Sequence, residues 1–185
     1  MDVLIISSSR NEIDDYYKSI ARHLSNYLAR NDCNLIFGGA SSSMMGICYE
    51  EFSKLNKKIY AYTTLKYADD LKKLPNSKHI ICETTFDLKK QMFENCDLIL
   101  CLSGGLGTIS ELLSYIEEKR SNNSDKPIIV YDENNYYKQL FSVINETITN
   151  NFSDNSIYNM FDIATKKEEF EDLFIEKRGK IKWII

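Results

Sequence analysis

Val3–Ile6 is four apolar residues in a row and Leu98–Leu102 is five. A strand that packs on one side alternates apolar with polar residues, whereas an unbroken run is apolar on both sides. Such strands need cover on both faces, and that demand restricts the fold more than any other feature of the sequence. Leu35–Phe37, Lys58–Tyr62, His79–Cys82, Pro127–Tyr131 and Met160–Ile163 are expected as further short strands. Between the strands the period changes. From Glu12 to Arg30, Tyr16, Ile20, Leu24 and Leu28 recur at every fourth position, which is an amphipathic helix. Met44–Leu55, Tyr67–Leu74, Thr85–Asn95, Ile109–Lys119, Tyr136–Thr149 and Lys166–Lys177 are expected as helices too.

Strand and helix alternate from end to end, so the predicted class is α/β, a doubly wound parallel sheet with helices on both faces. The 185 residues are enough for one full core and short for two. No internal repeat or linker is visible, and a single domain over 1–185 is expected. The apolar tail Ile181–Ile185, with Trp183, reads as an added strand or as a patch that docks on a partner subunit.

The net charge is −4, and no Lys/Arg-rich stripe is present. A nucleic-acid polymer is therefore not the expected partner. No apolar stretch approaches the roughly 20 residues that span a bilayer, so no membrane partner is expected. The chain opens directly on MDVLIISSS without the basic region of a secretory signal. Cys33, Cys48, Cys82, Cys96 and Cys101 show no CxxC spacing and read as reduced, buried thiols, in keeping with a cytoplasmic protein. His23 and His79 lie apart with no ligand-like neighbours, and neither a metal nor a redox cofactor is expected.

Three polar loops leave the expected strand ends: Ser7 to Asn11, Gly38 to Gly46 and Ser103 to Thr108. In an open parallel sheet, ligands bind beyond the carboxyl ends of the strands. Glycines let a backbone approach a ligand and turn N–H groups toward it, and a helix that starts there adds the positive end of its dipole. Tight strand-to-helix turns would also use glycine, but three such loops on one rim favour an anion site. Gly38, Gly39, Gly46, Ser8, Arg10, Ser103, Gly104, Gly105, Gly107 and Thr108 are the candidate phosphate-binding residues. The spacing fits neither GxGxxG nor a Walker loop, which disfavours a nucleoside triphosphatase and leaves a nucleoside monophosphate or a small phosphorylated sugar. Glu111 follows on the next helix. It reads either as a first-turn acid that complements the helix dipole or as a carboxylate beside a bound ribose.

The stretch SGGLGTISE, Ser103 to Glu111, resembles the PGGxGTxxE motif of the Lonely guy family, phosphoribohydrolases that activate cytokinins and were long mislabelled as lysine decarboxylases. GGASSSMMG, Gly38 to Gly46, is similar to the family's GGGxxGxMG segment. Asp97 before its strand, DKPIIVYDENNYYKQL over Asp125–Leu140, Asn151-Phe152 and the final Glu-rich helix have counterparts as well. The resemblance implies a Rossmann-like homodimer that hydrolyses the N-glycosidic bond of a nucleoside 5′-monophosphate. It places the catalytic glutamate on Glu111. The family's second catalytic residue, an arginine within a pattern like MHxRK, falls on Leu88 of Thr85-Phe86-Asp87-Leu88-Lys89, and Ser103, Ala40 and Ser43 stand where the motifs have proline and two glycines. Lys89 is accordingly the candidate second catalytic residue, and Lys90 a further source of positive charge. The alternative is a non-catalytic nucleotide or phosphorylated-cofactor binding or sensor protein on the same scaffold.

Overall fold

A computed structural model describes residues 1–181. The chain runs β1 (Asp2–Ile6), α1 (Asp15–Arg30), β2 (Asn34–Phe37), α2 (Ser43–Lys54), β3 (Ile59–Thr64), β4 (Lys78–Cys82), α3 (Thr85–Asn95), β5 (Leu98–Cys101), α4 (Leu106–Ser121), β6 (Ile128–Tyr131), α5 (Lys138–Thr149), β7 (Asp162–Ala164) and α6 (Lys167–Ile181). The seven strands form one sheet in the order β4-β3-β2-β1-β5-β6-β7, and every pair is parallel. This is the doubly wound Rossmann-like sheet that the alternation predicts. Of the apolar tail, only Ile181 belongs to a described element, where it closes α6; the rest of that expectation lies outside the described residues.

The unbroken apolar runs are explained by two cores. Val3 and Ile5 point to one face, where Leu24, Leu28, Phe52, Phe170 and Phe174 of α1, α2 and α6 cover them. Leu4 and Ile6 point to the other, against Met92, Phe93, Leu112 and Tyr115 of α3 and α4. All five cysteines are buried and free. Burial pushes the thiols of Cys48, Cys96 and Cys101 up to about 12, which keeps them neutral.

Most element ends shift by one to four residues from expectation, and three of the differences have a clear local reason. The segment expected as a short helix over Tyr67–Leu74 is a 3-10 helix over Leu65–Lys73. Its ion pairs, Lys72 with Asp69 and Lys73 with Asp70, are spaced by three residues, the period at which 3-10 side chains eclipse. The strand expected at Met160–Ile163 starts at Asp162, because a 3-10 turn over Asn155–Asn159 ends on Met160, whose N–H bonds the Ile157 carbonyl at 3.0 Å. Most important for function, α4 begins at Leu106 rather than at Ile109, with Gly105 as its cap.

The loop after β2 carries backbone strain. Gly39 has φ +69, and a Cβ there would meet the Tyr62 carbonyl oxygen at 2.7 Å. Ser43 has φ +53 although it is not a glycine, and its buried hydroxyl has no partner among the described residues. A side chain in that left-handed region costs about 1–2 kcal/mol. Ser43→Gly relieves the strain and removes the orphan hydroxyl, offset by added freedom of the unfolded chain. We expect a net gain of about 1 kcal/mol, read as an increase of about 2–4 °C in Tm by calorimetry.

Candidate active site

Parallel pairing fixes where the polar loops go. The segments after β1, β2 and β5 all leave the carboxyl edge, and β1 lies between β2 and β5, where the direction of winding reverses. Hydrogen bonds tie the loops together. The Thr108 hydroxyl donates to the Ser7 carbonyl at 3.1 Å, the Ser42 hydroxyl to the Ser9 carbonyl at 2.8 Å, and the Met45 N–H to the Ser8 carbonyl at 3.3 Å. From the β6 side, the Tyr136 hydroxyl donates to the Gly104 carbonyl at 2.8 Å.

A cleft of about 420 Å³ opens at this edge. Gly38 and Met45 line it from the loop after β2 and from α2, Thr63 and Thr64 from the end of β3, Tyr67 from the segment after it, Thr85, Leu88 and Lys89 from α3, and Leu106, Gly107, Ser110 and Glu111 from α4. Two readings made from the sequence therefore meet in one cleft: the second and third glycine loops both reach it, and Glu111 and Lys89 face the same space.

The glycines divide by task. A Cβ on Gly46 would meet the Ser41 carbonyl oxygen at 2.5 Å, and one on Gly104 would meet the Thr108 side chain at 2.2 Å. Gly39, Gly46 and Gly104 are thus required by packing, as tight turns would demand. Around Gly105 and Gly107 a Cβ would meet nothing within 4 Å, and both are exposed. Gly105 caps α4 and Gly107 lies in its first turn; the first intrahelical bond runs from the Ile109 N–H to the Gly105 carbonyl at 3.0 Å. The N–H groups of Leu106, Gly107 and Thr108 precede that bond, and no side chain caps them. The N-terminus of α2 likewise has no side-chain cap and no first-turn acid. Both ends favour negative charge.

Other candidates lie off the cleft wall. Thr108 is buried against Ser7, and Ser8 is buried with its hydroxyl accepting the Arg10 N–H at 3.1 Å. Arg10 is exposed on the neighbouring loop, and Ser103 is half-buried below Gly104. Lys90 points outward, 3.8 Å from Glu94, into a separate groove of about 290 Å³ on the outer side of α3 and α4. Met44 is core, whereas Met45 lines the cleft. Thr63, Thr64 and Ser110 were not singled out in the sequence. The Thr-Thr pair at a strand's carboxyl end was the available signal for the first two.

Glu111 is the sixth residue of α4, beyond the first turn, so it is not a dipole-complementing cap. Burial raises its carboxyl to about 7, against the opposing effect of the Lys89 charge. Among the described residues no hydrogen bond holds that carboxylate. The Lys89 ammonium donates to the Ser110 hydroxyl at 2.7 Å and to the Ser114 hydroxyl at 3.3 Å. Leu88, beside it, presents an apolar side chain to the cleft. Among the described residues no three His, Cys, Asp or Glu side chains gather as metal ligands, and no helix is long and apolar enough to cross a membrane.

A family model described as "Possible lysine decarboxylase" matches residues 45–173. The chain belongs to that family. It is a divergent member of the Lonely guy group, and its relatives include two proteins of Arabidopsis thaliana. Cytokinin riboside 5′-monophosphate phosphoribohydrolase LOG5 is 24% identical over 170 residues, covering 90% of this chain and 74% of its own. LOG1, which carries the same enzyme name, is 25% identical over 155 residues, covering 79% and 68%. Among solved structures, the molybdenum cofactor carrier protein of Chlamydomonas reinhardtii superposes with a TM-score of 0.73 at 10% identity, covering 96% of this chain and 98% of that one. The molybdenum cofactor binding protein of Rippkaea orientalis gives 0.67 at 16%, covering 95% and 94%. At these identities the structural likeness establishes the Rossmann-like fold of the family and nothing finer.

The raised carboxyl of Glu111 has a measurable consequence for stability. A group protonated more readily in the folded state adds stability below its unfolded value, about 4.5, which is lost as pH rises through about 7. Glu111→Gln removes that titration. The variant should match wild type near pH 4.5 and exceed it at pH 8 by on the order of 2 kcal/mol, read from urea midpoints at the two pH values.

Proposed function

We propose that this chain is a nucleoside 5′-monophosphate phosphoribohydrolase that releases a free base and ribose 5-phosphate. The observation that carries the proposal is the placement of the Glu111 carboxyl about one turn below an uncapped, amide-lined helix start, inside one cleft of about 420 Å³. The phosphate docks on the N–H groups of Leu106, Gly107 and Thr108, with Gly38 opposite. Binding energy collected there fixes the sugar over Glu111. Breaking the C1′–N bond sends its electron pair to the base and leaves positive charge on the ribose. The Glu111 carboxylate stabilises that charge and takes a proton from the water that attacks C1′; the hydroxyl stays on C1′ and the proton passes on to the departing base. Lys89 supplies the cleft's cation and helps keep Glu111 ionised. The base rests against Met45, Leu88 and Tyr67. Gly39, Gly46, Gly104, Thr108 and Ser8 shape the rim from behind, and Arg10 and Ser103 border it.

The test is incubation with a panel of nucleoside 5′-monophosphates, followed by chromatography for free base. We expect release from at least one. kcat/KM should rise with pH through about 7, where Glu111 ionises. Glu111→Gln should lower kcat by about 10²–10⁴-fold. The apolar Leu88 favours a second reading, a binding or sensor protein for a nucleotide or phosphorylated cofactor, and several fold neighbours are named as cofactor carriers. Tight nucleotide binding with no base released from any member of the panel would select it.

The active form in this reading is a cytoplasmic homodimer. Support comes from Leu65, Tyr67, Phe86 and Leu106, which are 76%, 57%, 82% and 82% exposed and stand on three elements around the cleft mouth. Apolar side chains clustered in this way mark contact surfaces. Sedimentation equilibrium should give twice the chain mass, and Leu65→Ser/Phe86→Ser should shift the protein toward monomer. A wild-type monomer at micromolar concentration would remove the dimer.

A further inference from the structure

We infer that Ser110 and Ser114 are positioning residues that hold the Lys89 ammonium against the α4 surface next to Glu111, where Lys89 and Ser110 line this cleft and Lys89 and Ser114 the adjoining groove. The inference rests on the hydrolase reading for its meaning but not for its measurement. Ser110 and Ser114 are four residues apart on α4, so they share a face, and Ser110 adjoins Glu111 on the same helix. Lys89 reaches across from α3 and donates to both hydroxyls, at 2.7 and 3.3 Å. The Ser114 hydroxyl spends its own proton on the Ser110 carbonyl at 2.6 Å, so its lone pairs are what it offers Lys89. The third proton of the ammonium stays available.

The choice of partners matters. Several other lysines pair with carboxylates, as in Lys54 with Glu51, Lys57 with Asp32, and Lys177 with Asp162, although Lys126 bonds the Phe93 carbonyl. At Lys89 the partners are neutral. Hydroxyls hold a cation in place by charge-assisted hydrogen bonds without cancelling its charge. The full charge then acts on Glu111 and on whatever anion enters the cleft. This is a way to seat a lysine where the family motif would put an arginine on the preceding residue. Arginine brings a rigid planar fork, but a lysine on a flexible stem needs external anchors to stay put.

Three side chains carry ionisable groups that bear on Glu111 or respond to it: Lys89 from α3, Tyr115 from α4 and Cys101 from β5. Burial raises both Tyr115 and Cys101 far enough that they stay neutral between pH 5 and 9. Lys89 is therefore the charge whose position the carboxyl reports.

The experiment is a carboxyl-carbon NMR titration of the full chain labelled in glutamate, with Glu111→Gln to assign the Glu111 signal. Wild type, Ser110→Ala/Ser114→Ala, Ser110→Thr/Ser114→Ala and Lys89→Met are compared. Alanine is a good helix former, so the double variant keeps α4. We expect the Glu111 midpoint to rise by about half to one pH unit in the double alanine variant, a three- to tenfold change in its proton affinity. Lys89→Met should raise it at least as far, and the threonine variant, which restores one hydroxyl, should bring it back toward wild type. An unchanged midpoint in the double alanine variant overturns the positioning role, and so does an unchanged midpoint in Lys89→Met. If wild type releases no base from any nucleotide, the hydrolase reading fails while these midpoints still decide the clamp.

Discussion

Parallel pairing of β1 with both β2 and β5 is the constraint from which the rest of the molecule follows. In a parallel sheet every strand delivers its carboxyl end to one edge, and the winding reverses where two consecutive halves meet. Here that place is β1, flanked by β2 and β5. Three loops distant in sequence are forced together there, and the Thr108-to-Ser7 and Met45-to-Ser8 hydrogen bonds lock them. No local feature of any one loop would create the cleft.

Within that edge, the loops separate shape from access. Gly39, Gly46 and Gly104 allow backbones to approach one another, because a side chain at each would collide with protein. Gly105 and Gly107 face open space, so no contact within the protein demands their lack of a side chain. Ser43 shows how much the turn geometry matters. The chain keeps a left-handed backbone there with a residue that dislikes it, and leaves the hydroxyl without a partner among the described residues, rather than change the entry into α2. Asn135, with φ +54 ahead of Tyr136-Tyr137, solves the same problem more cheaply, since asparagine tolerates that region better.

What could be read from the sequence was whatever periodicity and backbone chemistry impose locally. Val3–Ile6 and Leu98–Leu102 read as doubly covered strands by their unbroken apolar runs, and the glycine loops sit at strand ends. The start of α4 lies three residues before the expected Ile109, because Gly107 and Thr108 have poor helix propensity and hide the first turn. That error put Glu111 in the first turn and made it look like a dipole cap. The preference for Lys89 over Lys90 rests on the resemblance, and in the fold Lys89 bonds Ser110 of α4 while Lys90 lies near Glu94. Thr63, Thr64 and Ser110 were hidden because a lone hydroxyl carries no pattern until its neighbours in space are known.

The electrostatics of the cleft then form a balance. Burial drives the Glu111 carboxyl toward its neutral form, and the Lys89 charge opposes it without winning. A phosphate dianion docked at the start of α4 would raise the carboxyl further, since like charges resist sharing a site. Under the proposed function, ionising Glu111 with an anion docked would require compensating positive potential near the carboxylate. The N-termini of α2 and α4 supply part of it, but their influence falls off within a turn, and Glu111 lies beyond the first turn of α4. The remaining part must come from a full charge held at the depth of the carboxylate. Leu88 contributes none, so the burden falls on Lys89, whose value depends on being fixed by groups that do not neutralise it.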